Sequence, residues 1–126
     1  MNSSPGTETI LVVDDCEAVC EVIDVLLSRA GFRVLTATNG TDALELARDT
    51  PGIDLLMSNI DMPGMRGDEL AAHFASLHPA VPVVFLSSWT DRIAVTKPVA
   101  FLAKPFTVAE LRDAVRHALA ETPCAA

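Results

Sequence analysis

The chain has 126 residues, 50% of them hydrophobic, which suits one compact domain with a sizeable core. A formal net charge of −8 makes its surface repel phosphate backbones, and no basic cluster follows residue 121, so direct nucleic-acid binding is not expected. No apolar run approaches the roughly 20 residues of a membrane span, and Met1 to Thr9 lacks the basic and apolar parts of a signal peptide; a cytoplasmic protein without membrane contact is expected.

In chain order, residues 1–8 read as a polar tail, 9–121 as the folded domain and 122–126 as a second tail. Ile10–Val13 is a short apolar run, as in a strand buried on both faces. Val19, Val22, Ile23, Leu26 and Leu27 then recur at helical spacing, with Glu17, Glu21, Asp24 and Ser28 facing away and Gly31 as a stop signal. Cys16 and Cys20 lie on this helix; no second cysteine pair or suitably spaced histidine completes a metal site, so they and Cys124 read as incidental or structural thiols. Arg33–Ala37 is a weaker strand nearer a sheet edge, and Ala43, Leu44 and Ala47 point to a helix over Asp42–Arg48.

Ile53–Met57 is another doubly buried strand, followed by Met62-Pro63-Gly64-Met65, in which proline presets one dihedral and glycine permits a positive one. Leu70, Phe74 and Leu77 mark a helix over Asp68–Leu77; Pro82–Leu86 and Val99–Leu102 are the remaining strands. The last helix opens on Thr107 and Glu110, spaced as a capping box, and carries the stripe Leu111, Ala114, Val115, Ala118 and Leu119. His73, His78 and His117 are scattered and read as surface residues. Strict alternation of strands and helices with short connections predicts an α/β fold, a five-stranded parallel sheet with helices on both faces.

In such sheets functional groups gather beyond the carboxyl ends of the strands. Those ends carry Asp14 and Asp15, Asn59 and Asp61, Ser87 and Ser88, and Lys104 before Pro105. Two adjacent acids crowded together call for a cation, which Lys104 or Mg²⁺ would supply; Mg²⁺ accepts a few carboxylate or carbonyl oxygens and keeps several waters. Taken alone, Asp14 and Asp15 read equally well as caps of the following helix. Their joint placement with the other groups favours a site.

Leu11-Val12-Val13-Asp14-Asp15, Asn59-Ile60-Asp61-Met62-Pro63-Gly64-Met65, Phe85-Leu86-Ser87-Ser88 and Phe101-Leu102-Ala103-Lys104-Pro105-Phe106 resemble, in order and spacing, the receiver domain of two-component response regulators, the CheY-like family. The resemblance implies a flavodoxin-like strand order 2-1-3-4-5. It also implies an acidic pocket of Asp14 and Asp15, and weak Mg²⁺ at Asp15, Asn59 and the Asp61 carbonyl. Ser87 would hydrogen-bond a phosphoryl group, Lys104 would pair with it, Phe101 would be the aromatic switch alongside Ser87, and Lys104-Pro105 would be cis. Asn59 stands where the family has its phosphoacceptor aspartate, and a neutral amide is a poor nucleophile.

The stretch from Ser87 to Lys104 is about a helical turn shorter than in the family, so the helix between the fourth and fifth strands is expected to be shortened or lost. Ile93, Val95 and Val99 would then be partly exposed beside Arg112 and Arg116, a surface for a partner or a homodimer through residues 90–119. The resemblance thus implies a non-enzymatic signalling module in a phosphorelay, whose partner is a histidine kinase or a downstream signalling protein. Two alternatives fit less well. A haloacid-dehalogenase-like phosphatase would place its aspartate-x-aspartate motif after the first strand, whereas Asn59-Ile60-Asp61 follows the third and lacks the first acid. A flavodoxin-like FMN carrier would need a Ser/Thr-rich phosphate loop where Asp14-Asp15 stands.

Overall fold

The computed structural model describes residues 8–87 and 100–120. Among these, the elements are β1 (Thr9–Val13), α1 (Glu17–Arg29), β2 (Arg33–Ala37), α2 (Gly40–Asp49), β3 (Ile53–Asn59), α3 (Gly67–Leu77), β4 (Val83–Ser87), β5 (Ala100–Ala103) and α4 (Val108–Ala120). The strands form one five-stranded sheet in the order β2-β1-β3-β4-β5. Every adjacent pair is parallel.

Side-chain alternation along the central strands divides the core into two layers. Ile10, Val12, Leu55, Met57, Val84 and Leu86 meet Ile23 and Leu27 of α1 and Leu111 and Val115 of α4. On the opposite face, Leu11, Val13, Ile53 and Leu56 meet Ala43 and Ala47 of α2 and Leu70 and Phe74 of α3. Ile53 and Leu56 share a face despite their odd spacing because the pairing of β1 with β3 shifts register between Thr9 and Ile10, which leaves Asp54 as the extra residue. The Asp54 carboxylate accepts the Thr9 N–H at 2.8 Å, so that donor stays satisfied. Glu8 is tied in too, its carbonyl accepting from Arg33 N–H at 2.9 Å.

The strands and helices fall where periodicity put them, with ends shifted by one or two residues. β3 runs on to Asn59 and β4 to Ser87, past the expected ends at Met57 and Leu86, while β5 is shifted by one residue. On α1, Val22 is 54% exposed. The buried line runs through Cys20, Ile23 and Leu27, and Val22 lies about 100° around the helix from Ile23, beyond the edge of that stripe. The expected short helix between β4 and β5, with Ser88, Ile93, Val95 and Val99, lies outside the described residues, as do residues 1–7 and 121–126.

Helix ends follow the sequence signals. After α1, Gly31 takes φ 102° while Phe32 N–H reaches back to Leu27 O at 3.0 Å, a left-handed stop that glycine adopts without steric cost. At α4, Thr107 Oγ1 accepts from Glu110 N–H at 3.1 Å and Glu110 Oε1 accepts from Thr107 N–H at 2.8 Å, the reciprocal pair expected. His78 is half-buried rather than a free surface residue: it stacks on Phe74 at 5.0 Å, and its Nε2 lies 2.8 Å from Ala47 O, tying α3 to α2.

Gly67 opens α3 so close to β3 that an added Cβ would run into the Asn59 carbonyl and lie 2.9 Å from Ile60 Cα, both backbone atoms. Backbone cannot yield as a flexible side chain can, so Gly67→Ala should cost about 1–3 kcal/mol through overpacking. Chemical denaturation will measure it, and wild-type stability would contradict the packing.

The Cys20 thiol donates to Asp14 O at 3.4 Å and lies 3.6 Å from Ala37 O. Burial chiefly, with the negative charge of Asp14 contributing, raises its pKa from the usual 9.0 to about 11. The fold holds this proton more tightly than the unfolded chain does. Its stabilisation is therefore complete below the unfolded pKa and is lost as pH rises from 9.0 to about 11. A thiol alkylator at neutral pH should label exposed Cys16 well before Cys20, as read by peptide mass spectrometry; equal rates would contradict this placement.

Candidate functional site

The carboxyl ends of β1, β3 and β5 converge because β1 and β3 are neighbours at the point where strand order reverses, and β4 carries β5 alongside. Register sets Val13 opposite Ser58, Asn59 opposite Leu86, and Ser87 opposite Ala103, so Asp14, Asn59, Ser87 and Lys104 reach one rim. Lys104 N–H donates to Ser87 O at 2.9 Å, and the Lys104-Pro105 bond is cis, as the resemblance implied.

Asp14 is 1% exposed, and its two oxygens are divided between two tasks. Oδ1 accepts Cys16 N–H at 2.9 Å, and Oδ2 accepts from Lys104 Nζ at 2.8 Å. The capping reading of Asp14 is thus met in part: it serves a donor at the start of α1, although the cap position itself is Cys16. A carboxylate this buried needs a cation, because the desolvation cost is otherwise several kcal/mol. Lys104 supplies it.

Asn59 joins the remaining groups. Its Oδ1 accepts from Lys104 Nζ at 3.0 Å, while its Nδ2 donates to Asp15 Oδ1 and to Asp61 O, each at 3.1 Å. The amide orientation follows from its partners: a flipped amide would set NH₂ against an ammonium that only donates and oxygen against two acceptors. Asn59 is itself buried, and its backbone carbonyl accepts from Ser58 Oγ at 2.9 Å. Asp15 and the Asp61 side chain are exposed, so Asp61 reaches the site through its carbonyl, as expected. Among the described residues no buried side-chain nitrogen or oxygen lacks a hydrogen-bond partner.

Gly64, with φ 84°, turns the chain after Pro63, and Gly67 N–H donates to Ile60 O at 2.8 Å, which closes the loop from β3 to α3 under the site. Phe101 is 49% exposed and its ring lies 5.8 Å from that of Phe85. Sequence reasoning put six polar residues at strand ends, and the structure joins Asp14, Asp15, Asn59, the Asp61 carbonyl and Lys104 in one hydrogen-bonded network, with Ser87 at the same rim through its backbone carbonyl. That reasoning missed Gly67, whose signal was a glycine placed where a helix begins directly after the site loop, and Cys20, which lies three and seven residues before Ile23 and Leu27.

The groups expected to hold Mg²⁺, Asp15, Asn59 and the Asp61 carbonyl, do come together, but with the Asn59 NH₂ between the other two. Mg²⁺ takes oxygen ligands at about 2.0–2.1 Å, whereas this amide presents hydrogen atoms to that space. Among the described residues no three Asp, Glu, His or Cys side chains group as metal ligands. The arrangement as it stands does not fit the ion.

Residues 10–116 match the profile of the response regulator receiver domain. The chain is 34% identical over 111 residues to the uncharacterized transcriptional regulatory protein YrkP of Bacillus subtilis, covering 84% of this chain and 47% of YrkP. It is 32% identical over 123 residues to the two-component response regulator ARR10 of Arabidopsis thaliana, covering 93% of this chain and 22% of ARR10. The chain therefore spans less than half the length of these relatives. The receiver domain of the hybrid histidine kinase CckA superposes with a TM-score of 0.78 at 36% identity, over 88% of this chain and 98% of that one. With its parallel 2-1-3-4-5 sheet, its convergent acidic rim and these likenesses, the chain belongs to the response regulator receiver domain family of two-component signalling.

Proposed function

We propose that this receiver domain signals through a protein partner without accepting a phosphoryl group at Asn59. The observation that carries the reading is the Asn59 amide itself, at the position where the family's motif has aspartate and engaged at both ends by Lys104, Asp15 and Asp61. Attack on phosphorus needs a charged oxygen; the amide oxygen is neutral, and its lone pair is engaged by the Lys104 ammonium. Asp14 is committed to Lys104 and Cys16 N–H, and the exposed Asp61 carboxylate does not replace the missing nucleophile.

In this reading Lys104 and Ser87 keep the positions of the family's phosphoryl-binding groups, and Phe101 that of the switch aromatic. Mg²⁺ would bind weakly, since it must first turn the Asn59 amide away from Asp15. The partner is a histidine kinase or a downstream signalling protein. It would meet the side formed by β5 and α4, where Phe101, Arg112 and Arg116 are exposed, and a second copy would dock on the same side; the part of the expected 90–119 surface before Ala100 lies outside the described residues. None of the helices among the described residues is long and apolar enough to cross a membrane.

Acetyl phosphate with Mg²⁺ should leave the intact mass unchanged, whereas Asn59→Asp should acquire one phosphoryl group, since Asp14, Asp15, Ser87 and Lys104 remain in place. Stoichiometric labelling of the wild-type chain would overturn the reading.

A further inference from the structure

We infer that the Asn59 carboxamide takes the place of a divalent cation in the acidic pocket, making this receiver domain's site hydrogen-bonded from within and independent of metal. The inference rests on reading the pocket as a receiver site, and it adds a stability device to the loss of phosphate acceptance.

Asp15 Oδ1 and Asp61 O are both acceptors, a carboxylate oxygen and a carbonyl oxygen from different loops, and each lies 3.1 Å from Asn59 Nδ2. Two converging oxygens need something positive between them. The NH₂ group is the positive end of the amide dipole and has two hydrogens, one for each acceptor. Its negative end accepts from Lys104 Nζ at 3.0 Å, and Lys104 in turn holds Asp14 at 2.8 Å. Every contact in the chain from Asp14 to Asp61 therefore pairs a donor with an acceptor.

An aspartate of the same shape at position 59 would replace that NH₂ by an oxygen. Three oxygens would then face one another at about the same spacing, and three carboxylates, Asp14, Asp15 and the new one, would share the single ammonium of Lys104. Such a pocket calls for a cation. With asparagine the same geometry is complete without one, and an arriving ion would have to rotate the amide and press NH₂ against the Lys104 ammonium. Asn59 thus does more than remove a nucleophile. It holds the loops after β1 and β3 together by direct hydrogen bonds, whatever the Mg²⁺ concentration.

The test is thermal unfolding of the full chain and of Asn59→Asp, in EDTA and across a MgCl₂ titration, with NaCl matching ionic strength. Mg²⁺ that saturates Asn59→Asp should raise its Tm by several degrees, about 4–8 °C for a tenfold-scale gain in folded population, and leave the wild type unmoved. In EDTA, Asn59→Asp should be the less stable of the two. A wild-type Mg²⁺ affinity within about tenfold of that of Asn59→Asp, or equal stability in EDTA, would overturn the inference.

A second readout needs no variant to remain folded. The Asn59 side-chain amide protons should give a resolved, slowly exchanging pair of NMR signals that Mg²⁺ does not shift and Mn²⁺ does not bleach; selective bleaching by Mn²⁺ would place a cation where the amide is said to stand. Mg²⁺ binding by an unlabelled wild type within about tenfold of the affinity of Asn59→Asp would remove this inference and leave the phosphate-silent reading intact, whereas acetyl phosphate labelling would remove that reading.

Discussion

A carboxylate buried at the end of β1 must be neutralised, and most of the molecule's geometry at this rim answers that need. Asp14 and Lys104 are 90 residues apart in sequence, yet the ammonium lies 2.8 Å from the carboxylate. The pair forms only if β5 is carried alongside β4, β4 alongside β3, and β3 alongside β1. A buried ion pair contributes little net stability over a well-packed apolar pair, but removing one partner leaves an uncompensated charge that costs about 3–5 kcal/mol. The pair therefore selects among strand arrangements more than it strengthens any one of them. Lys104 N–H bonded to Ser87 O holds the lysine's backbone at that rim.

The sheet can deliver its strand ends to one edge because it is covered on both faces. The doubly buried strands β1 and β3 carry almost no polar side chains before their last residues. Thr9 and Asp54 are polar, and Asp54, at the shift in register, turns its carboxylate to Thr9 N–H. Small residues then let the helices approach: Ala43 and Ala47 on α2, and Gly67 where α3 passes the Asn59 carbonyl. Gly40 plays the same part at the head of α2, where a Cβ would lie 2.5 Å from Met65 Sδ and 2.9 Å from Met65 Cβ. The site loop between Asn59 and Gly67 is thus held from beneath by packing and from above by the polar network.

Asparagine and aspartate have nearly the same shape, so exchanging one for the other leaves the fold's packing alone and acts through charge and hydrogen-bond direction. In this pocket the neighbours are a lysine on one side and two acceptors on the other, an asymmetric surrounding that suits an amide, which is itself asymmetric. That fit links the chemistry of one side chain to the family's signalling logic: a group that already satisfies the site has no need of the ligands that ordinarily complete it.

The layered α/β class, the five strands, the capping box at Thr107 and Glu110 and the turn at Gly64 were all legible in the chain, because each depends on residues within a few positions of one another. The convergence of Asp14, Asp15, Asn59, Asp61, Ser87 and Lys104 was legible from position at strand ends, once the parallel order was supplied by resemblance. Local pattern could not decide that Val22 is exposed while Cys20 is buried: the two lie about 200° apart around the helix, so only one can join the stripe with Ile23 and Leu27, and the rotation of α1 against the sheet decides which. Nor could it show Gly67 against the Asn59 carbonyl or the extra residue at Asp54, which depend on register between segments far apart in sequence. Position after short apolar runs marked, in the chain alone, which polar groups stood at strand ends. The direction of the Asn59 amide emerged from packing, because it is set by three partners drawn from three separate strand ends.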